Sequence, residues 1–277
     1  MKNILKTAGI QMSASPSLET NLSKAGSLIA LAVSEGARIV CLPQLFNTIW
    51  FAHSIDKKNF SLAETSGGHT ITAMQEEARK NRCVLIAPIF EEASGSFFNT
   101  AFVIGDDGEV IGRYRKMHVP QLPLWEERSY FSPGDLGFPV FQTPYAAIGV
   151  QLCWDVFFPE GFRILALKGA QIIFAPTASA FERSRGRWER GMQAAAHSNG
   201  VFVFRVNRTG KEDKQEFYGK SFCAGPDGEF IVKPGGSSDG VVIADVDLET
   251  MAAVRREWVF LRDRRPGEYK EISEKER

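Results

Sequence analysis

Short β-branched or aromatic runs alternate along this chain with longer stretches whose apolar side chains recur at helical spacing. Residues 7–12 read as a first strand. Pro16 and Ser17 then open a helix whose apolar positions, Leu18, Leu22, Ala25, Ile29 and Ala32, share one face and stop at Gly36. The pattern predicts a strand at 37–42, a helix at about 70–82 and a strand at 83–89. Strands at 98–104 and 110–115 flank Gly105-Asp106-Asp107-Gly108, a hairpin signal. Beyond the apolar run 147–152, the pattern predicts a helix from near Pro159, one over about 185–198 and one around 248–256. Strands are expected at 201–207, 219–224, 229–232 and 240–246, with Pro226-Asp227-Gly228 as a turn.

Two segments echo each other. Gly36-Ala37-Arg38-Ile39-Val40-Cys41-Leu42-Pro43 follows the first helix, and Gly169-Ala170-Gln171-Ile172-Ile173-Phe174-Ala175-Pro176 follows the helix near Pro159. Each is a helix-stop glycine, a buried strand and a proline. The echo fits two similar helix-then-strand units, hence two sheets packed face to face with helices outside. It equally fits the ordinary way in which many α/β strands end. No linker rich in Gly, Ser or Pro separates the halves, so one domain is expected over 1–277, with a C-terminal arm from about 255. Residues 269–277 are mostly charged and are expected to fray.

One cysteine stands out. Cys153 closes the run Ala147-Ile148-Gly149-Val150-Gln151-Leu152 and is followed by Trp154-Asp155 and the turn Val156-Phe157-Phe158-Pro159-Glu160. That places its side chain at the C-terminal end of a sheet, where open α/β folds build their sites. Position alone leaves two readings, a tuned nucleophile or a core thiol, because free cysteine is among the most buried residue types.

The company of Cys153 separates them. Upstream lie Gly112-Arg113-Tyr114-Arg115-Lys116-Met117-His118-Val119-Pro120 and Trp125-Glu126-Glu127-Arg128-Ser129-Tyr130-Phe131-Ser132-Pro133-Gly134-Asp135. With Leu152-Cys153-Trp154-Asp155 these segments resemble the nitrilase superfamily of carbon–nitrogen hydrolases. The resemblance runs from Ala8-Gly9-Ile10-Gln11-Met12 to Leu261-Arg262-Asp263-Arg264-Arg265-Pro266. It implies an α/β fold, a four-layer αββα sandwich of two packed mixed sheets with outer helices. It also implies a catalytic set in which a glutamate, a lysine and a cysteine act together, with a second glutamate nearby. The matching positions are Gln44, Lys116, Cys153 and Glu127, so Leu42-Pro43-Gln44-Leu45-Phe46 carries glutamine at the general-base position.

The chemistry needs a nucleophile, a proton acceptor that later donates to the leaving amine, and positive charge for the oxyanion. Cys153 fits the first and Lys116 the third. Apart from the resemblance, Lys116 reads as a surface lysine clustered with Arg113 and Arg115, and Glu127 as half of a solvated charge run. Register favours Glu127 over Glu126 as the second carboxylate, orienting Lys116 and helping to hold substrate. Trp154 is a candidate oxyanion donor through its backbone N–H. Trp50, Phe51 and Trp125 are candidates for the pocket wall, against the plainer reading of aromatics as core. Asn207-Arg208 and Tyr218-Gly219 also follow the family pattern, without a role legible in sequence.

A neutral amide at residue 44 cannot accept a proton usefully near pH 7, and loss of a general base typically costs ~10²–10⁴-fold in rate. Three readings stand: a deliberate Glu→Gln replacement, a natural member that has lost turnover and kept binding, or another carboxylate such as Glu127 acting as base. Cys153-Trp154-Asp155, His118-Val119-Pro120 and Arg262-Asp263-Arg264-Arg265-Pro266 look most like the branch that cleaves N-carbamoyl amines and amino acids. A simple aliphatic amide, as for ω-amidase-like members, is the second reading. A non-catalytic binding protein on the same scaffold is the third.

Composition narrows the setting. The 33 basic and 33 acidic residues cancel, which removes a long-range field suited to nucleic acid or an anionic membrane. The first six residues lack a signal-peptide apolar region, and no apolar stretch approaches membrane-spanning length. Four cysteines without Cys-x-x-Cys spacing fit a reduced, cytoplasmic protein, with Cys41, Cys83 and Cys223 as core thiols. The four histidines show no paired-ligand motif, so neither metal nor cofactor is expected. The expected partners are a small amide or N-carbamoyl substrate and further copies of the chain. In such a homo-oligomer Trp258, Val259, Phe260 and Leu261 would cover a neighbour, unless they fold back on their own core.

Overall fold

The computed structural model describes residues 4–274. In the first half, β1 (Ile4–Gln11), α1 (Leu18–Ser34), β2 (Ile39–Cys41), α2 (His69–Asn81) and β3 (Val84–Ala93) lead into β4 (Ser96–Ile104) and β5 (Val110–Arg115). The second half runs through β6 (Phe141–Gln142), β7 (Ala147–Val150), α3 (Pro159–Leu167), β8 (Ile172–Thr177), α4 (Arg185–Asn199) and β9 (Phe202–Asn207). A ribbon of β10 (Thr209–Glu212) and β11 (Gln215–Tyr218) precedes β12 (Phe222–Ala224), β13 (Phe230–Val232), β14 (Gly240–Asp247) and α5 (Leu248–Glu257).

Local chemistry accounts for the helix ends. The Ser17 hydroxyl accepts from the Thr20 N–H to start α1, and Asp247 accepts from Glu249 and Thr250 to start α5. Arg82 and Gly200 close α2 and α4 in the left-handed conformation. The expected elements therefore appear, with ends displaced by a few residues. The strand expected at 219–224 is shorter, because Gly219 and Lys220 take left-handed φ of +66° and +57° before it starts at Phe222. The β10–β11 ribbon had no counterpart in the pattern, since Thr-Gly-Lys-Glu carries no apolar alternation.

The strands form two mixed six-stranded sheets, ordered β14-β1-β2-β3-β4-β5 and β13-β12-β9-β8-β7-β6. In each, three central strands run parallel, β1, β2 and β3 in one and β7, β8 and β9 in the other. Alternation along the strands sorts side chains between layers. Ile39 and Cys41 face the second sheet, in a core shared with Val150, Leu152, Phe174 and Phe204. Val40 and Leu42 face α1 and α2, beside Ile29 and Met74. Ile173 and Ala175 likewise pack under α3 and α4, with Phe162 and Met192. The result is the αββα sandwich, and the echoed segments lie on equivalent strands, β2 and β8.

Cys41, Cys83 and Cys223 are buried, free thiols held above the usual range by burial, Cys83 up to about 12. Among the described residues no helix is long and apolar enough to cross a membrane. In the arm, Trp258 and Phe260 fold against His197 of α4, with ring centroids 5.7 and 5.3 Å away, yet keep 49% and 38% of their surface exposed. Of the segment expected to fray, Lys270–Ser273 forms a 3-10 turn, and residues 275–277 lie outside the described residues, as do 1–3 of the amino-terminal stretch.

The two sheets approach each other closely at Gly9. A Cβ there would stand 2.8 Å from Val206 Cγ2 and 2.9 Å from the Phe204 ring. Gly9→Ala is therefore expected to lower stability by about 1–3 kcal/mol through overpacking. Urea denaturation of the two proteins checks this; equal midpoints and slopes would show that the sheets yield without cost.

Candidate active site

The carboxyl end of β7 turns sharply. Cys153, the first residue of a 3-10 turn over Cys153–Phe157, has φ +49°, a left-handed conformation uncommon outside glycine. Asp155 holds this elbow. One of its oxygens, Oδ2, accepts from the Leu152 N–H at 3.1 Å and the Tyr114 hydroxyl at 2.7 Å. Its Oδ1 accepts from the His118 N–H at 2.8 Å and lies 2.7 Å from His118 Nδ1. The His118 ring stacks flat on Phe158 at 3.6 Å. A single buried carboxylate thus ties the Cys153 turn to the end of β5. A thiol has to be aimed, and this network aims it.

Lys116 follows β5 directly, with its N–H donating to the Asn99 carbonyl of β4 at 2.8 Å. Its ammonium donates to Glu127 Oε2 at 2.5 Å, and both side chains are wholly buried. Burial pushes the Glu127 carboxyl up, against the pull of Lys116. Burial also disfavours the Lys116 ammonium, but Glu127 and Cys153 more than offset it and hold Lys116 above its usual range. At Cys153 burial dominates and raises the thiol; Lys116 and the Ala178 N–H act in the opposite sense. The resting thiol is thus protonated near neutrality, with a cation ready to hold a thiolate once the proton leaves.

Cys153 and Glu127 meet at a cavity of about 400 Å³, and Lys116 reaches it only through Glu127. Cys153, Glu127, Trp125 and Trp154 line it, with Ala178 and Ser179 from the loop after β8. The first N–H groups of a 3-10 turn have no partner within it, and Trp154 carries one of them at the cavity wall. Trp50 and Phe51 are not among the lining residues. They belong to a buried aromatic cluster behind it, where Trp50 packs 6.4 Å from Trp125 and Phe51 5.1 Å from Phe90.

Gln44 lies just beyond β2, fully buried, before Leu45 at φ +51°. Neither atom of its side-chain amide has a hydrogen-bond partner among the described residues. Its backbone is nevertheless held firmly. The Arg208 guanidinium donates to the carbonyls of Leu45 at 2.8 Å, Thr48 at 2.9 Å and Gln44 at 3.3 Å, and pairs with Glu212 at 2.6 Å. The preceding residue does the same for the opposite wall. The Asn207 side chain accepts from the Ser179 N–H and the Thr177 hydroxyl, and donates to the Ser179 and Gly219 carbonyls. Asn207-Arg208, silent in sequence, clamps both loops. Asp155 and Ala178 were not singled out by pattern; only the place of Asp155 two residues after Cys153 marked it.

The sandwich thus brings a thiol elbow and a buried lysine–glutamate pair together beside one cavity, the arrangement of a hydrolase site. Residues 6–256 match the carbon-nitrogen hydrolase family model, and the chain belongs to that family, whose enzymes act on non-peptide C–N bonds. It is 40% identical to an N-carbamoylputrescine amidase of Solanum lycopersicum, over 97% of this chain and 95% of that one. A carbon-nitrogen hydrolase from Helicobacter pylori G27 superposes with TM-score 0.94 at 34% identity, covering 99% of both chains. A glutamate-to-glutamine mutant of the amidase from Nesterenkonia sp. AN1 superposes with TM-score 0.81 at 25% identity, covering 95% and 94%. That structure shows the acetamide moiety of fluoroacetamide covalently added at the active site cysteine.

The raised Cys153 thiol makes a measurable claim. Alkylation of the Cys153 peptide by iodoacetamide, followed by mass spectrometry, is expected to have its pH midpoint above the ordinary thiol value of about 8.5. Lys116→Met removes the cation that lowers it, so the midpoint is expected to climb further. A midpoint at or below the ordinary value would contradict the dominance of burial.

Proposed function

We propose that this chain cleaves the C–N bond of an N-carbamoyl compound through a Cys153-linked intermediate, with the steps that move protons slowed by Gln44. The observation that carries the reading is the buried Lys116–Glu127 pair acting on a thiol at the floor of the cavity. The Cys153 thiolate attacks the ureido carbonyl, and the developing oxyanion is stabilised by Lys116 and the backbone N–H groups of the elbow. Collapse expels ammonia or the amine and leaves a carbonyl thioester on Cys153. Water then cleaves the thioester, and the carbamic acid released breaks down. Overall, ureide and water yield amine, carbon dioxide and ammonia.

Gln44 enters where protons must move. The first attack needs an acceptor for the thiol proton, and the second needs one for water. A neutral amide supplies neither, and Glu127, with Oε2 committed to Lys116, has only Oε1 left without a partner among the described residues to take that part. The unpartnered amide of Gln44 is compatible with this assignment, since a buried polar group without a partner costs free energy that a ligand's polar groups could recover. In the glutamate-to-glutamine amidase mutant the cysteine carries an acetamide moiety whose amide is retained, an alkyl rather than an acyl adduct, which supports a nucleophilic cysteine but not a stalled thioester. That relative also favours a second reading, hydrolysis of a simple aliphatic amide. Exposed Trp258 and Phe260 fit the self-association expected of the arm.

Incubating the chain and a Gln44→Glu variant with N-carbamoyl amines, N-carbamoyl amino acids and simple amides, with ammonia release and intact mass as readouts, tests the reading. The variant is expected to turn over a ureide about 10²–10⁴-fold faster, while the unaltered chain accumulates a Cys153 adduct. Release from simple amides alone would replace the carbamoyl reading with the aliphatic one. Inertness of both proteins towards every compound would overturn both.

A further inference from the structure

The cavity has two ends of different character. At the floor stand Cys153 and Glu127, with Lys116 buried against Glu127. At the mouth, the first turn of α4 contributes Ser184, Arg187 and Trp188. Glu127 is the one acidic residue lining the cavity, and Lys116 already neutralises it. Arg187 is the one basic residue lining it, is exposed, and has no hydrogen-bond or ion-pair partner among the described residues. The nearby carboxylates are committed elsewhere: Glu182 and Glu189 both pair with Arg185, at 3.1 and 3.0 Å.

Two further observations add positive character around the cavity. Arg205 is fully buried behind Trp188, 5.3 Å from its ring centroid, with no carboxylate in ion-pair range among the described residues. Its guanidinium instead meets the Tyr218 hydroxyl at 2.8 Å and the Lys220 carbonyl at 3.3 Å. The first turn of α4 carries no acidic residue, and the Ser184 side chain does not cap it. A helix start left this way adds partial positive charge. The Ser179 residue also lines the cavity, is 4% exposed, and its hydroxyl has no hydrogen-bond partner among the described residues. A ligand with polar groups in its middle and negative charge at its far end would meet each of these features. A ligand ending in an ammonium would find aromatic faces but also an unpaired guanidinium of like charge.

We propose that the site takes ureides that end in a carboxylate, N-carbamoyl amino acids, with Arg187 holding the carboxylate at the mouth and the Ser179 hydroxyl meeting the ureido group. This rests on the ureide reading above and chooses within it. Arg187 sets specificity by binding the end of the substrate remote from the reacting carbonyl. Its loss therefore weakens binding of the acid and leaves neutral ureides unaffected, a separation that a general structural role would not produce.

The test uses the full chain carrying Cys153→Ala, which cannot form an adduct, titrated calorimetrically with N-carbamoyl-β-alanine, N-carbamoylputrescine and N-propylurea. The acid is expected to bind at least about tenfold more tightly than the amine, as a charge-assisted contact allows. Adding Arg187→Ala is expected to remove most of that advantage and leave N-propylurea unchanged. Arg187→Glu, on an exposed helical position, is expected to place the amine ahead. Equal affinities for acid and amine, or an acid affinity indifferent to Arg187→Ala, would overturn the proposal while leaving the ureide reading intact. If no ureide binds and propionamide does, the ureide reading falls. The charge preference is then read from succinamic acid against 4-aminobutanamide, and equal affinities there sink it too.

Discussion

Two opposite charges buried together, the Lys116 ammonium and the Glu127 carboxylate 2.5 Å apart, set the terms for everything around the cavity. Either charge alone in that environment would carry a desolvation cost of several kcal/mol. The pair is tolerable only because β5 and the loop leading to Glu127 converge there. Its service to chemistry follows from the same fact. A cation whose partner is fixed and dry acts on Cys153 with little screening, so it can hold a thiolate or an oxyanion that water would otherwise have to solvate.

The two sheets then work as a positioning frame. Each sends a central strand to an abrupt exit with a left-handed residue, Leu45 after β2 and Cys153 after β7. Such turns are strained and persist only where their surroundings over-determine them. Arg208 supplies that for the first, through three carbonyls, and Asp155 for the second, through a donor at Leu152 and the groups of Tyr114 and His118. Asn207 extends the same device to the Ala178–Ser179 loop, so the walls of the cavity are pinned by side chains that never touch it. Within this frame the Gln44 amide, like that of Asn99 and the Ser179 hydroxyl, is buried with no partner for its tip among the described residues.

The sequence by itself determined the periodicity and therefore the layers. Alternating β-branched strands, amphipathic helices and their caps are local properties, so α1, α2, α4 and the hairpin of β4 and β5 were readable from spacing. The motifs around Lys116, Glu127 and Cys153 drew attention to three residues that the fold does bring together, and Gln44 was visible as the departure from the family pattern. Only the tertiary structure decided which long-range partners hold them: that Asp155 serves the elbow, that Asn207 and Arg208 clamp two loops, and that Trp50 and Phe51 stand behind Trp125. It also decided the sign of the cavity mouth. Arg187 is one of several arginines in its segment, and no spacing distinguishes it from Arg185, which is neutralised by Glu182 and Glu189. Hydrogen bonds and charge compensation depend on distances between residues remote in the chain, and those distances exist only once the sheets have packed.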